Sequence, residues 1–453
     1  MIVQPASAGH LQKRLGLAFG LAVGIGSVIG SGIMRAPGVI TNEVPDPWIA
    51  MLLWLVGGVF ILLSANITAE LSTALPKAGG FYVPVREAFG DSMGLLAGWA
   101  TFAGYTAGTA AVALACADFL GMVFPWAASH AQMLAALIAL VVTALNWIGV
   151  QEGRLIQIIG TVVKLGLLSV VIIIAFTVDP ATADSAATAS AVVGGAVTMV
   201  GIITALQLIV GAYDGWYSAM FFAEEDTDPG RNIPRAMFRS CVIVIAVYLT
   251  LNLSMYMALD IATLRQSDLP VALVVERGFG SIGMTLVALL AAFMTVVTLN
   301  SLIMIMPRVL FGMARDGLFL HSATRVNRGG TPDIALLVSA VLTVGLIFSG
   351  GFIFVFKLMG ALSIFVSVLY AVAFFALRRR QPDLPRPFRA IGYPLLPIIA
   401  LLVSIALLGS FIFADPISGL YMLGLIAICI PVGIVLHRRR IAHRTAVGFV
   451  IAK

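Results

Sequence analysis

The sequence predicts an all-helical membrane protein that crosses the bilayer twelve times. The chain has 453 residues, of which 60% are hydrophobic and only 11% are charged, whereas soluble domains average about 25% charged residues. Its mean hydropathy is +1.05. Long apolar stretches recur along the chain, and the basic residues between them are distributed unevenly. No cleavable signal pattern precedes the first stretch, so we expect that stretch to remain a membrane span.

The span count follows from the length of the apolar stretches. A helix needs about 20 apolar residues to cross the hydrocarbon core. Numbered 1 to 12, the predicted spans cover residues 15–40, 48–74, 92–124, 131–149, 154–177, 196–223, 236–258, 281–312, 333–350, 352–377, 392–414 and 416–436. Because the count is even, both tails, 1–14 and 437–453, lie on one side of the membrane.

The positive charge indicates which side that is. Of the 27 basic residues, 22 fall in one alternate set of loops, the adjoining span ends and the two tails, and the opposite loops hold only Arg265 and Arg277. Basic loops stay in the cytoplasm, so both termini are predicted to be cytoplasmic, in a plasma or inner membrane. The net charge of +6 is thereby explained without a nucleic-acid partner.

Two spans contain residues that interrupt a helix. Span 1 includes "GIGSVIGSGI" (24–33) and span 6 includes "IVGAYDGWYSAM" (209–220). Glycine weakens a helix and Asp-Gly forms turns. Broken backbone at membrane depth is tolerated where it faces protein or a water-filled cavity. We therefore expect spans 1 and 6 to be unwound.

The two interrupted spans open two blocks of five spans. The first block, 15–177, starts from the cytoplasm, and the second, 196–377, starts from outside. Interrupted helices in corresponding positions of an inverted repeat are a sequence signature of a transporter binding site. Spans 11 and 12, 392–436, lie outside this repeat.

A helix break exposes N–H groups at one new end and carbonyl groups at the other. N–H groups attract a carboxylate and carbonyls attract a cation, so an α-amino acid suits both ends. The predicted substrate site comprises Gly26, Ser27, Val28, Gly30, Ser31, Gly32, Gly211, Ala212, Tyr213, Asp214, Trp216 and Tyr217. The alternative for span 1 is helix packing through Gly26 and Gly30, which form a GxxxG motif.

These motifs resemble the amino acid–polyamine–organocation superfamily. "GSVIGSGI" is similar to the GxxIGSGIF pattern of its first span, and "AYDGWYSAMFFAEEDTDPGRNIPRA" (212–236) resembles span 6 and the following loop of the L-type subgroup, which includes the light chains of heterodimeric transporters and their bacterial relatives. The resemblance implies a LeuT-type 5+5 inverted repeat plus two extra helices, and amino acid transport by alternating access. It implies that Gly30, Ser31 and Gly32 hold the carboxylate, and that the carbonyls of Val28, Gly211 and Asp214 hold the amine.

Two residues depart from the L-type pattern. Gly211 stands where an aromatic gate is usual, and Tyr217 stands where asparagine is frequent. The gate is then absent or supplied by Tyr213, Trp216 or Tyr217. Both departures lie where the substrate side chain would sit, so a preference for large neutral substrates does not follow.

Lys164 lies in the middle of span 5, where a lysine costs about 2.5–3.5 kcal/mol. The resemblance implies that its ammonium occupies the place of a bound cation between spans 1 and 8, as in sodium-independent members. The alternatives are a structural ammonium that ties span 5 to carbonyls freed by the break in span 1, and a proton carrier. Thr298, Asn300 and Ser301 in span 8 are predicted to line this ammonium.

Other charged residues of the spans have a predicted place. Asp214 is interpreted as a turn former, with contact to substrate or a coupled proton as the alternative. Three glutamates are predicted to form ion pairs at gates or loops. They are Glu70, near the end of span 2, and Glu224 and Glu225, which lie beside Arg231 and Arg235 in the sequence. Arg35 and Lys357 are expected near the membrane interfaces, where long side chains reach water.

The leading hypothesis is a sodium-independent amino acid exchanger. The alternative is a proton-coupled amino acid or polyamine and organic-amine symporter. A channel would need a continuous polar stripe, and an enzyme would need more buried titratable groups than the spans carry. No nucleotide-binding loop is present, so ATP is not expected to drive transport. The substrate side chain, the coupling ion, the direction of flux and the oligomeric state stay open.

We expect no cofactor, metal or disulfide-linked subunit. Cys116, Cys241 and Cys429 all lie in apolar runs, and no His/Cys cluster occurs in the sequence. Light chains of the resembling subgroup bond their partner through a cysteine between spans 3 and 4, and this loop, "FPWAASHAQ", has none.

Overall fold

The computed structural model describes residues 11–177, 197–267, 269–349, 352–414 and parts of 416–435. In these residues the secondary structure is helical, and the one extended pairing is an isolated bridge between Leu15 and Asp226. Residues 178–196 and the tail after 435 lie outside the described residues, as do the predictions that fall on them.

The helices coincide with the predicted spans. In order of spans 1 to 11 they are Leu17–Val28 with Ser31–Glu43, Pro47–Ala74, Asp91–Gly121, Ala131–Ile148, Val150–Thr177, Met199–Ala212 with the 3₁₀ helix Ser218–Phe222, Pro229–Ala258, Ser281–Arg315, Asp333–Ser349, Phe352–Arg380 and Leu395–Ala414. Shorter helices connect them: Tyr82–Phe89, Pro125–Ser129, Ile261–Gln266, Pro270–Phe279 and the 3₁₀ helix His321–Thr324.

Within the described residues, nine helices are long and apolar enough to cross a membrane, counting the two halves of span 1 together. Three shorter apolar helices, Met199–Ala212, Asp333–Ser349 and Gly419–Cys429, lie at predicted spans 6, 9 and 12. The all-helical membrane architecture is therefore confirmed, while the count of twelve stays a prediction.

Span 3 forms the centre of the bundle and packs against spans 8 and 10. Its sequence is rich in alanine and glycine, which let membrane helices approach closely. A Cβ atom at Gly98 would lie 2.5 Å from the Met313 sulfur, and one at Gly108 would lie 2.8 Å from the Met359 sulfur. The small residues of span 3 thus set how closely its neighbours pack.

The outer helices carry apolar side chains on the protein surface. Leu137 in span 4, Val162 in span 5 and Leu402 in span 11 are each more than half exposed. A soluble protein avoids such a continuous apolar exterior, whereas lipid is a suitable solvent for it. The chain is an integral, multi-pass membrane protein.

Ion pairs join the helices at the end of the bundle that carries most of the arginines. Arg308 binds Glu225 through two hydrogen bonds of 2.9 and 3.1 Å, and both side chains are buried. Arg315 binds Glu224 at 2.6 Å with both side chains about a quarter exposed. The two glutamates thus form ion pairs, but their partners come from span 8 and not from the neighbouring Arg231 and Arg235.

Glu70 is the second centre of charge at this end. It is fully buried, accepts hydrogen bonds from Arg378 and from the backbone N–H of Ala390, and forms an ion pair with Arg386 at 3.1 Å. Asn66, one turn earlier, exchanges two hydrogen bonds with the backbone of Ile391. Span 2 therefore holds the loop between spans 10 and 11 in place.

The burial of the Arg308–Glu225 pair predicts a large stability effect. Arg308→Met leaves a buried carboxylate without its partner, which costs about 3–5 kcal/mol. Arg315→Met removes a partly exposed pair, worth about 1 kcal/mol or less. In detergent-solubilised protein, the melting temperature should fall several times further for Arg308→Met. Equal losses for the two variants would contradict this interpretation.

Candidate substrate site

Span 1 is interrupted at Ile29 and Gly30. The helix Leu17–Val28 ends there, Ile29 adopts extended backbone (φ −73°, ψ 99°), and a new helix begins at Ser31. Gly30 precedes this helix and offers no side-chain cap. The first N–H groups of a helix have no partner within it, so Ser31 and Gly32 present donors at the break.

Span 6 is interrupted after Ala212. A series of turns over 213–217 leads from Met199–Ala212 into the 3₁₀ helix Ser218–Phe222. Gly215 lies in the left-handed region with φ +106°, and a Cβ atom there would lie 2.9 Å from the Ser27 Cβ. Glycine is required at this position both by its conformation and by the contact.

The two interruptions meet in the centre of the bundle. Ser218 Oγ donates to Ser27 Oγ at 2.9 Å. A Cβ atom at Gly32 would lie 3.2 Å from the Ala212 Cα. The residues predicted from two distant stretches of sequence are thus brought together at one place.

Tyr248 of span 7 links both breaks. Its hydroxyl group lies 2.9 Å from the Val28 carbonyl and 3.0 Å from the Ala212 carbonyl, and the side chain is buried. A hydroxyl has one hydrogen to donate, so it serves the two acceptors alternately. Sequence reasoning missed Tyr248, because nothing in its apolar run marks a residue that reaches two other helices.

Lys164 is fully buried against the break in span 1. Its Nζ donates to the Gly26 carbonyl at 3.0 Å, to the Ile29 carbonyl and to Thr298 Oγ1 at 3.0 Å. Thr298 Oγ1 also lies 3.0 Å from the Gly26 carbonyl. The ammonium therefore bridges spans 1 and 8, with all three of its donor positions satisfied.

The other two residues predicted beside Lys164 are not brought to it. Asn300 donates to the Gly153 carbonyl at 3.1 Å and to Gln157 Oε1 at 2.9 Å, and it accepts from Asn146. Ser301 Oγ is buried without a hydrogen-bond partner among the described residues. Only Thr298 of the predicted trio contacts the ammonium.

A small cavity adjoins the break in span 6, between spans 3, 6, 8 and 10. Its polar lining residues are Thr101, Tyr105, Asp214, Tyr217 and Ser363. Asp214 Oδ1 accepts from the Tyr217 hydroxyl at 2.8 Å and from Ser363 Oγ at 3.1 Å. Its volume is about 30 Å³, which is room for about two water molecules. An amino acid therefore requires the helices around it to separate.

Aromatic side chains close the cavity on one side. Phe81 packs edge-on against Tyr217 at 4.8 Å and against Tyr370 at 4.9 Å between ring centroids. Trp216 packs edge-on against Tyr217 at 5.0 Å. Tyr213 points away from the cavity toward span 2, where its hydroxyl donates to the Trp54 carbonyl at 3.3 Å. Of the aromatic residues predicted in this stretch, Tyr217 is the one that lines the cavity.

The protein itself occupies several of the predicted acceptor carbonyls. Gly26 accepts from Lys164, Val28 and Ala212 accept from Tyr248, and Gly211 accepts from the Asp214 N–H at 3.2 Å. A carbonyl has two lone pairs, so each can accept a second donor. The break thus combines helix-start donors with carbonyl acceptors, the two requirements for binding a zwitterion.

The family model for amino acid permeases matches residues 17–434. The chain belongs to this family. The match includes both interrupted spans and the lysine between them, so this site belongs to an amino acid permease.

Curated relatives match along most of the chain. The serine/threonine exchanger SteT of Bacillus subtilis is 29% identical over 419 residues, which cover 90% of this chain and 93% of the relative. The large neutral amino acids transporter small subunit 2 of Homo sapiens is 27% identical, and the match covers 90% of this chain and 77% of the relative. The human b(0,+)-type amino acid transporter 1 is 26% identical, and the match covers 91% of this chain and 85% of the relative. The resemblance to the L-type subgroup and its bacterial relatives is confirmed.

The cysteines of this permease are all buried. Cys116, Cys241 and Cys429 are free thiols, and the described residues contain no disulfide.

The tight packing at the break predicts different effects for two glycines. A Cβ atom at Gly26 would lie 2.1 Å from Gln157 Nε2 and 2.6 Å from Thr161 Oγ1, whereas one at Gly166 in span 5 meets nothing within 4 Å. Gly26→Ala should lower the melting temperature in detergent, because overpacking costs about 1–3 kcal/mol.

Gly166→Ala is the matched control. It should leave the melting temperature unchanged or raise it, since alanine favours a helix by about 1 kcal/mol. A Gly26→Ala protein as stable as the Gly166→Ala protein would show that the break is not packed as described.

Proposed function

We propose that this permease is a sodium-independent exchanger that moves amino acids by alternating access. Its helices are proposed to form a LeuT-type pair of inverted repeats, 15–177 and 196–377, with two further helices. The observation that carries the proposal is the Lys164 ammonium, which holds the oxygens of the interrupted span 1 and of Thr298.

The position of Lys164 supports sodium independence. Broken helices of transporters coordinate cations through unwound carbonyls. Here a covalently attached ammonium takes the carbonyls of Gly26 and Ile29 and the hydroxyl of Thr298. A sodium ion would compete for these oxygens against a positive charge about 3 Å away. A fixed cation therefore performs the task that a bound ion performs elsewhere.

The two breaks are proposed to hold the substrate backbone. The N–H groups of Gly30, Ser31 and Gly32 would receive the carboxylate, and the Val28, Gly211 and Asp214 carbonyls would receive the amine. The backbone next to these positions is that of Gly26, Ser27 and Ala212. The turn of span 6 is supported by Tyr213 and Trp216. The side chain would extend toward Asp214, Tyr217 and Ser363, which line the cavity.

Alternating access requires that each end of the cavity open in turn. The Phe81–Tyr217–Tyr370 cluster and the Glu225–Arg308 pair close the predicted cytoplasmic end. Toward the other end, Arg35 lies 3.5 Å from Asp118. Both layers are proposed gates, and rearrangement of either enlarges the small cavity between them.

Proton-coupled symport is the second candidate. The observation that favours it is the Asp214 carboxylate at the cavity, with two hydroxyl donors and no cationic partner among the described residues. On this alternative a proton on Asp214 accompanies the substrate. Because the chain offers no exposed cysteine among its three, we propose that it works without a disulfide-linked subunit in either case.

Exchange in proteoliposomes tests the proposed function. Purified protein should take up labelled serine, chosen because one relative is a serine/threonine exchanger, when the vesicles contain unlabelled amino acids. Replacing sodium with choline should change nothing, and empty vesicles should take up little. Uptake into empty vesicles driven by an inward proton gradient would instead establish symport.

Removal of the fixed cation should slow exchange strongly. Lys164→Met removes a donor from the Gly26 and Ile29 carbonyls, and the one hydrogen of the Thr298 hydroxyl can serve only one of them. A buried carbonyl without a donor costs about 1–3 kcal/mol, so the exchange rate should fall at least tenfold. Ser169→Ala changes an exposed residue of the same helix that bonds only to Leu165 and should behave as wild type. The proposal fails if folded Lys164→Met protein exchanges at the wild-type rate.

A further inference from the structure

Span 7 presents one exposed face along its whole length. Exposed side chains recur every three or four residues, the spacing of a single helix face. They are Arg231, Arg235, Arg239, Val242, Ala246, Thr250, Leu253 and Met257. The face is therefore basic over its first three positions and apolar at four of the remaining five. The exception is Thr250, whose hydroxyl donates to the Ala246 carbonyl at 2.8 Å within the helix.

The apolar part has the length of a lipid-facing surface. From Arg239 to Met257 the helix rises about 27 Å at 1.5 Å per residue, and the hydrocarbon core is about 30 Å thick. With Met257 at one boundary of the hydrocarbon, Arg239 lies at the other. Arg235 and Arg231 then follow at about 6 and 12 Å, the depth of the phospholipid headgroups.

These three residues, the span 7 arginines, lack acidic partners. Among the described residues no ion pair forms with Arg231, Arg235 or Arg239, although seven other arginines do form one. Asp228 at the start of the helix lies closest in sequence and pairs with none of them. Like charges four residues apart on a helix repel one another, so an anion between them relieves that repulsion.

The loop between spans 10 and 11 forms a second wall beside this face. Phe388 packs against Phe238 with 5.7 Å between ring centroids, and the next residue, Arg389, is exposed and unpaired among the described residues. Ile391 and Tyr393 follow, 63% and 45% exposed. Apolar and aromatic side chains beside arginine are typical of a segment that lies at the lipid–water interface.

We propose that the span 7 arginines and Arg389 bind the headgroup of an anionic phospholipid, whose acyl chains lie along Val242 and Ala246. Guanidinium groups bind phosphate through paired hydrogen bonds. The largely apolar face that continues from the arginines distinguishes a lipid from a free phosphate. Glu70 and Asn66 hold the loop that carries Arg389, so the wall of the site is fixed before the lipid arrives.

Lipid binding to the full-length protein tests the proposal. Delipidated protein in a neutral detergent is titrated with phosphatidylglycerol or phosphatidylcholine, and bound lipid is counted by native mass spectrometry. Phosphatidylglycerol should bind more tightly than phosphatidylcholine. Each arginine near an anionic surface contributes about a fivefold change in affinity, so Arg235→Gln with Arg239→Gln should weaken phosphatidylglycerol binding at least tenfold.

Two controls separate a site from general surface charge. Arg328→Gln removes an exposed, unpaired arginine from the loop between spans 8 and 9 and should leave the affinity unchanged. Arg239→Lys keeps the positive charge and should therefore retain most of the affinity for phosphatidylglycerol. Equal weakening by Arg328→Gln, no weakening by the double substitution, or displacement of the lipid by millimolar glycerol phosphate would each overturn the proposal.

Discussion

The Lys164 ammonium and the broken backbone of span 1 depend on each other. A charged amine inside a membrane is costly unless oxygens surround it, and carbonyls freed by a helix break are costly unless donors reach them. The Gly26 and Ile29 carbonyls and the Thr298 hydroxyl meet both requirements at once. Neither the lysine nor the break would be stable at this depth without the other.

The rest of the centre is arranged around this contact. On one side, Gln157 and Thr161 of span 5 both donate to the Ala22 carbonyl, about two turns before the break. On the other side, Tyr248 joins the last carbonyl of the first half of span 1 to the end of the span 6 helix. Spans 5, 6, 7 and 8 thus hold span 1 in its interrupted form, which keeps the N–H groups of Ser31 and Gly32 at the start of a helix, where they have no partner within it.

The sequence predicts the positions of the helix breaks better than it predicts the hydrogen-bond partners of the backbone groups at those breaks. Glycines and the Asp-Gly pair are local signals, and both interruptions lie within the stretches they mark. Which carbonyl meets which donor depends on contacts between helices distant in sequence. The sequence indicates that carbonyls freed by the break reach Lys164, but it does not identify them as those of Gly26 and Ile29. Tyr248 carries no local mark of its role.

Helix geometry explains why Thr298 contacts the Lys164 ammonium and Asn300 does not. Successive residues are 100° apart on a helix, so Thr298 and Asn300 lie about 160° apart and cannot both face one ammonium. Asn300 instead joins Asn146 and Gln157 between spans 4, 5 and 8. Likewise, Glu224 and Glu225 form ion pairs as expected, but with arginines of span 8 that only the fold brings near.

The central claim is that a hydrogen-bonding cation at position 164 keeps the transporter functional. Exchange by Lys164→Ala protein, measured in proteoliposomes with added methylammonium or tetramethylammonium, tests it most directly. Methylammonium carries the same donors as the lost side chain and should restore part of the exchange, whereas tetramethylammonium has no N–H and should restore none. Equal responses to the two amines, or full exchange without either, would contradict the role assigned to Lys164.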